Sequence, residues 1–162
     1  MKTYGSDSML GNVIFGLVIP LFIGGWILRR NFNILLVYFP MGVATSSCIN
    51  SAGFNFFWNI LPNTRNQSYT GLPFDLGIYP IAGCLMIYMI LIKNAKSWPA
   101  IFITSLTLTL IEWSAKEMGR VLYFNGWNIF WTFFSYFVPL VVMYGYSKIF
   151  NLMYNLSNKS KT

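Results

Sequence analysis

Charge is scarce in this chain. Charged residues make up 9% of its 162 positions, against about 25% in an ordinary soluble domain. Acids are rarer still, being only Asp7, Asp75, Glu112 and Glu117. Histidine is absent, which removes the commonest general base and the commonest zinc ligand. The two cysteines, Cys48 and Cys84, fall inside apolar stretches and make no metal-binding pattern. They read as buried free thiols, with a disulfide between helices as the alternative. Serine-nucleophile motifs, phosphate loops and CxxC pairs are missing, and neither a metal nor a cofactor is expected. No internal repeat marks an inverted-repeat transporter. Asp7 and a lone Lys2 do not make the leader of a cleavable signal peptide, so none is expected.

What is present is apolar. Hydrophobic residues are 56% of the chain and mean hydropathy is +0.54, more apolar surface than a soluble domain of this size could hide. A transmembrane helix needs about 20 mainly apolar residues. The sequence predicts an all-α integral membrane protein, a single domain over 1–162 built as a bundle of five transmembrane helices, with four as the alternative. The spans are expected at about 9–28, 32–53, 74–92, 99–115 and 128–146, followed by a basic tail at 148–162. Residues 54–61 are expected either to extend along the interface or to lie within the membrane. Pro62–Pro73 and Lys116–Trp127 are expected as loops, from their Pro, Gly, Asn and Ser content.

The net charge of +7 does not indicate nucleic acid, because the basic residues lie in short segments between spans. It suits the lipid bilayer and its anionic head groups. The segments after spans one, three and five hold Arg29, Arg30, Lys93, Lys96, Lys148, Lys159 and Lys161, seven in all. The opposite side holds four, namely Lys2, Arg65, Lys116 and Arg120. The positive-inside rule therefore predicts the N-terminus outside and the C-terminus in the cytoplasm. Trp26 and Trp98 would mark the inner interface, and Trp58, Trp113, Trp127 and Trp131 the outer one. Pro20, Pro40, Pro80 and Pro139 are expected to kink their helices, and Pro99 to open the fourth. Gly16, Pro20 and Gly24 make a narrow stripe on span one. The small-residue run Gly42–Gly53 marks span two as central, since small residues let helices approach closely in lipid.

Polar residues recur at helical spacing on three spans: Ser105, Thr109, Glu112 and Lys116; Asn128, Thr132 and Ser135; and Ser47, Ser51, Asn55 and Asn59. Polar groups facing lipid are costly, so each stripe should face inward. Together they would line an outward-opening pocket, or else only bond helix to helix. Glu112 is the sharpest residue. Lys116, four residues on and in the favourable order, is its expected ion-pair partner, with Arg120 as a loop alternative. Asp75 is expected in the first turn of span three, where an acid offsets the helix dipole. If brought together, Asp75 and Glu112 could serve as acid and base. Asn125-Gly126 is expected as a tight turn in a loop that caps the pocket.

Ile111-Glu112-Trp113, then Gly119, then Tyr123-Phe-Asn-Gly-Trp-Asn128 before an aromatic-rich span, resembles an uncharacterised family of small multi-spanning membrane proteins of endospore-forming Gram-positive bacteria. Tyr79-Pro80 fits an upstream part of the pattern, and the resemblance covers about residues 74–147. It implies a bacterial cytoplasmic membrane and a multi-pass helical bundle, and it implies no reaction. It draws attention to Glu112, Trp113, Gly119, Gly126 and Trp127.

The candidate pocket residues are thus Glu112, Lys116, Arg120, Asp75, Asn128, Trp127, Trp113 and Asn55. The expected role is a non-enzymatic subunit, or a component binding a lipid or small ligand through the outward pocket. Its partner would be a bound lipid or another membrane protein. A membrane enzyme acting on a lipid or isoprenoid through a carboxylate acid or base is the first alternative. A small carrier or channel is the second.

Overall fold

The computed structural model describes the backbone of residues 6–159 and the side chains of residues 9–29 and 31–154. Lys2, Lys161 and the end of the tail lie outside the described residues, as do the side chains of Asp7, Arg30 and Lys159. The chain is 81% helical. In order come α1 (Ser6–Val13), a π-helical turn (Ile14–Val18), α2 (Ile19–Leu28), a 3-10 turn (Arg29–Asn31), α3 (Phe32–Phe56), β1 (Trp58–Ile60), α4 (Gln67–Asp75), α5 (Ile78–Leu91), α6 (Ser97–Glu117), β2 (Val121–Tyr123) and α7 (Ile129–Lys159).

Four helical stretches are long and apolar enough to cross a membrane: Met9–Leu28, Phe32–Phe56, Gln67–Leu91 and Ile129–Tyr154. The α6 helix, with 21 residues, is about 31 Å long at 1.5 Å per residue. Its hydroxyls and terminal charges leave it less apolar than the other four. The bundle leaves many large apolar side chains exposed and buries several polar ones beside its apolar core. Phe15 and Phe22 are 69% and 76% exposed, while Asn12, Asn50, Thr70, Asp75, Ser105 and Thr132 are buried.

The core is built where α5 meets its neighbours. Cys84, Met86 and Ile87 of α5 pack with Leu28, Ile34, Tyr38, Ile101, Leu108 and Met143. The α3 and α5 helices approach closely because Gly42 lies on Pro80, and a Cβ at Gly42 would sit 2.7 Å from the Pro80 Cα. The stripe Gly16–Pro20–Gly24 is buried, and Gly24 abuts Ile81 of α5.

Several expectations need correction. The predicted loop Pro62–Pro73 contains most of α4, started by the Asn66 side chain accepting from the Ser68 N–H at 3.0 Å. Span three is two helices broken at Leu76-Gly77, where Gly77 meets the Gly16 carbonyl so closely that a Cβ there would collide. Pro80 sits in the first turn of α5, where a missing N–H costs nothing, so the break precedes it. Pro40 and Pro139 lie within continuous helices. Ahead of Pro20, the π-helical turn has the Ile19 N–H donating to Ile14, five residues back. The tail is helix through Lys159. Cys84 is buried, but Cys48 is exposed, and both are free thiols.

Residues 54–61 end one helix and begin a strand. The α3 helix continues to Phe56, and β1 then pairs antiparallel with β2, placing Trp58 opposite Tyr123 and Ile60 opposite Val121. Trp58 is buried at 7%, packed into the space over Gly53. Trp26, Trp98, Trp113 and Trp131 are exposed.

Candidate functional site

The β1–β2 strip ties the two loops at one end of the bundle. The stop of α6 prepares it. Gly119, at φ +70°, takes the left-handed conformation that ends helices. The N–H groups of Gly119 and Arg120 return to the carbonyls of Lys116 and Ala115 at 2.8 and 2.9 Å. The chain then runs back as β2 and reverses at Asn125-Gly126, both at positive φ, as the Asn-Gly pair predicted. Asn125 also donates its amide to the Phe56 carbonyl at 2.6 Å. Asn128 starts α7, its side chain accepting from Phe130 and Trp131 N–H groups at 3.0 and 3.4 Å.

This folding places Glu112 among hydroxyls. Tyr123 of β2 donates to Glu112 Oε1 at 2.6 Å, and Tyr136 of α7 donates to Oε2. Thr132 Oγ1 lies 3.4 Å from Oε1 and 2.9 Å from the Tyr123 hydroxyl, and accepts from Trp127 Nε1 at 3.0 Å. Tyr79 of α5 reaches the Tyr136 hydroxyl at 3.4 Å, and their rings are 5.5 Å apart. Trp127 packs on Phe57 and Trp58, with centroids 4.6 and 4.8 Å apart. Burial and the Glu112 carboxylate push the Tyr123 phenol above its ordinary range, so at neutral pH it remains a donor.

The expected Glu112–Lys116 pair is not formed. Lys116 instead contacts Glu117 at 3.3 Å, the only ion pair among the described residues, and lies over the Tyr123 ring. The i,i+4 rule brings the two within reach, but tyrosines from β2 and α7 fill the space on the inward face. Asp75 is not in a first turn either. It closes α4 and is buried at 5%, and its Oδ1 accepts from Asn50 Nδ2 at 2.7 Å. Ser46 donates to its backbone carbonyl at 3.4 Å.

Glu112 borders two spaces. One is a small cavity of ≈ 40 Å³ inside the bundle, with polar walls from Thr45, Ser46, Asn50, Tyr79, Ser135 and Tyr136. The other is a groove of ≈ 440 Å³ open to the side, bounded by Asn12, Phe15, Ile78, Ile111 and Arg120. Asp75 lines neither, so the two acids are not a pair.

Of the eight candidates, Glu112 and Arg120 both line the groove, and Trp127 donates to Thr132. Asn128 is a helix cap, Lys116 pairs with Glu117, and Asp75 is bonded to Asn50 away from the groove. Trp113 is exposed away from the cluster. Asn55 is exposed and donates to Ser51 of its own helix at 2.8 Å. The span-two stripe is off by one residue: Ser46 and Asn50 are buried while Ser51 and Asn55 face out. On α6, Ser105 and Thr109 face inward as expected, but donate to carbonyls four residues back in the same helix. Tyr79, Tyr123, Tyr136, Asn50 and Asn12 were missed. Tyr123 could have been found from its place inside the Glu-Trp…Gly…Tyr motif, and Tyr136 from lying one turn beyond Thr132.

Comparison with known proteins found no family profile, no curated protein and no solved structure that matches this chain.

Proposed function

We propose that this chain is a small multi-pass protein of the bacterial cytoplasmic membrane that binds a lipid or similar amphiphile from the side. In this reading it is a binding component or subunit rather than an enzyme. One observation carries the reading. A half-buried carboxylate, bonded to hydroxyls and with no cationic partner among the described residues, borders both a small cavity of mixed lining and a larger apolar groove. Ligand sites are typically apolar with a few converging polar groups.

In this reading α6 also crosses the membrane, making five spans, the β1–β2 end faces outward, and the C-terminus is cytoplasmic. The excess of basic residues at the other end supports that orientation. Membership of the family of endospore-forming bacteria is part of the proposal. Its support is that Glu112, Gly119, Tyr123, Gly126 and Trp127 act as one folding unit: acceptor, helix stop, donor, turn and packing ring.

The test is mass spectrometry of lipid retained by the tagged protein after purification from its native membrane in mild detergent. Ile103 is 61% exposed and lines the apolar trough that continues the groove, so Ile103→Trp should fill it without disturbing the core. A retained amphiphile in the parent, reduced at least fivefold in Ile103→Trp, supports the reading. Equal retention in both sinks it. A second reading, acid/base catalysis on such an amphiphile, is favoured by the position of Glu112 at the groove. Glu112→Gln would then bind ligand normally and turn none over, and unchanged turnover would remove Glu112 from that role.

A further inference from the structure

The groove does not stop at Glu112. A second trough of ≈ 560 Å³ continues from it, sharing Phe15, Ile78, Leu108 and Ile111, and runs between α2 and α6 to Lys96 and Pro99. From Pro99 to Glu112 is 13 residues of α6, about 20 Å at 1.5 Å per residue. One leaflet of hydrocarbon is about 15 Å, half the bilayer core. The trough is therefore long enough for one acyl chain and is almost wholly apolar.

Its upper end carries two opposite charges. Glu112 and Arg120 line the same groove, and neither is in an ion pair among the described residues. Neither side chain therefore has an oppositely charged side chain beside it among the described residues. A carboxylate has about four lone-pair sites. Glu112 Oε1 takes Tyr123 and Thr132, and Oε2 takes Tyr136 alone, which leaves Oε2 an acceptor position. Tyr79 and Tyr136, whose rings touch, line the groove beside it. A carboxylate flanked by aromatic rings favours an ammonium group through charge and cation–π attraction. An arginine favours phosphate.

Resting on the amphiphile-binding reading, we infer that the ligand is a zwitterionic aminophospholipid. Its ammonium lies at Glu112 beside Tyr79 and Tyr136, its phosphate at Arg120, and one acyl chain in the trough toward Pro99. An anionic head group would meet Glu112 as a like charge, and an N-acylated amine would lose the charge that Glu112 attracts.

The experiment is native mass spectrometry of the full-length protein in detergent. It is offered, with matched acyl chains, phosphatidylethanolamine, N-acetylated phosphatidylethanolamine and phosphatidylglycerol. The parent should retain phosphatidylethanolamine about tenfold over each of the others, a ratio worth ~1.4 kcal/mol. Glu112→Gln should erase the preference, whereas Arg120→Gln should weaken retention of all three lipids. The comparison of amine with N-acetyl amine on the parent needs no variant to fold. Equal retention of all three lipids by the parent, lowered in Ile103→Trp, overturns the head-group assignment and leaves the amphiphile reading standing. A preference that survives Glu112→Gln overturns the role of Glu112. Failure to retain any of the three overturns both.

Discussion

Two acids lie within the bundle, and they are handled in opposite ways. Asp75 sits at the break between α4 and α5, buried and held by a single amide from Asn50. Glu112 sits at the corner of α6, β2 and α7, half-buried, and accepts from hydroxyls on two other elements. Asp75 borders neither the cavity nor the groove, and Glu112 borders both. The difference separates a carboxylate used to hold a backbone break from one held ready at an opening. Burial alone would have ranked Asp75 first. Accessibility, and hydroxyl donors recruited from distant segments, point to Glu112.

The break around Asp75 should be the more fragile region. Gly77→Ala should have the largest effect, destabilising by about 3 kcal/mol in a thermal or denaturant melt in detergent, because the new methyl meets the Gly16 carbonyl in an interior that cannot yield. A melt unchanged within error would mean that the π-helical turn carrying Gly16 can move aside. Asn50→Leu comes next. It strands the Asp75 carboxylate and should cost ~2 kcal/mol. A smaller loss in the double variant with Asp75→Leu than in Asn50→Leu alone would show that the stranded carboxylate carries the cost, and an equal loss would show that it does not.

At the other corner the losses should be smaller and shared. Tyr136→Phe and Tyr123→Phe each remove one donor to Glu112 and should each cost about 1 kcal/mol. The double variant should depart from additivity by ~0.5 kcal/mol or more, because both serve one carboxylate. Strict additivity would mean that the hydroxyls do not share it. Lys116→Gln should change stability by less than ~0.5 kcal/mol, since its only carboxylate contact is the exposed Glu117. A loss as large as that of Tyr136→Phe would restore Lys116 as a partner of Glu112.

Some of the site was legible beforehand and some was not. Glu112 stood out as an acid in an apolar helix, and the Asn125-Gly126 turn followed from its residue types. The partners of Glu112 did not follow, because Tyr123 and Tyr136 are 11 and 24 residues away. The local rule offered Lys116 instead. The inward face of α3 was misjudged because polar residues occupy adjacent positions, Thr45 to Ser47 and Asn50 to Ser51. A step of one residue turns a helix by about 100°, so only the contact of Gly42 with Pro80 decides which of them points in.

Composition and periodicity by themselves determined that this is a helical bundle with an apolar exterior, with helices near 9–28 and 32–53 and turn residues where the chain reverses. Those properties follow from local preference and from the cost of unpaired backbone in lipid. The tertiary structure alone decided the break at Gly77, the pairing of β1 with β2, the inward register of α3 and the hydroxyl shell of Glu112. Each depends on surfaces from distant segments meeting, and close packing fixes such meetings one contact at a time.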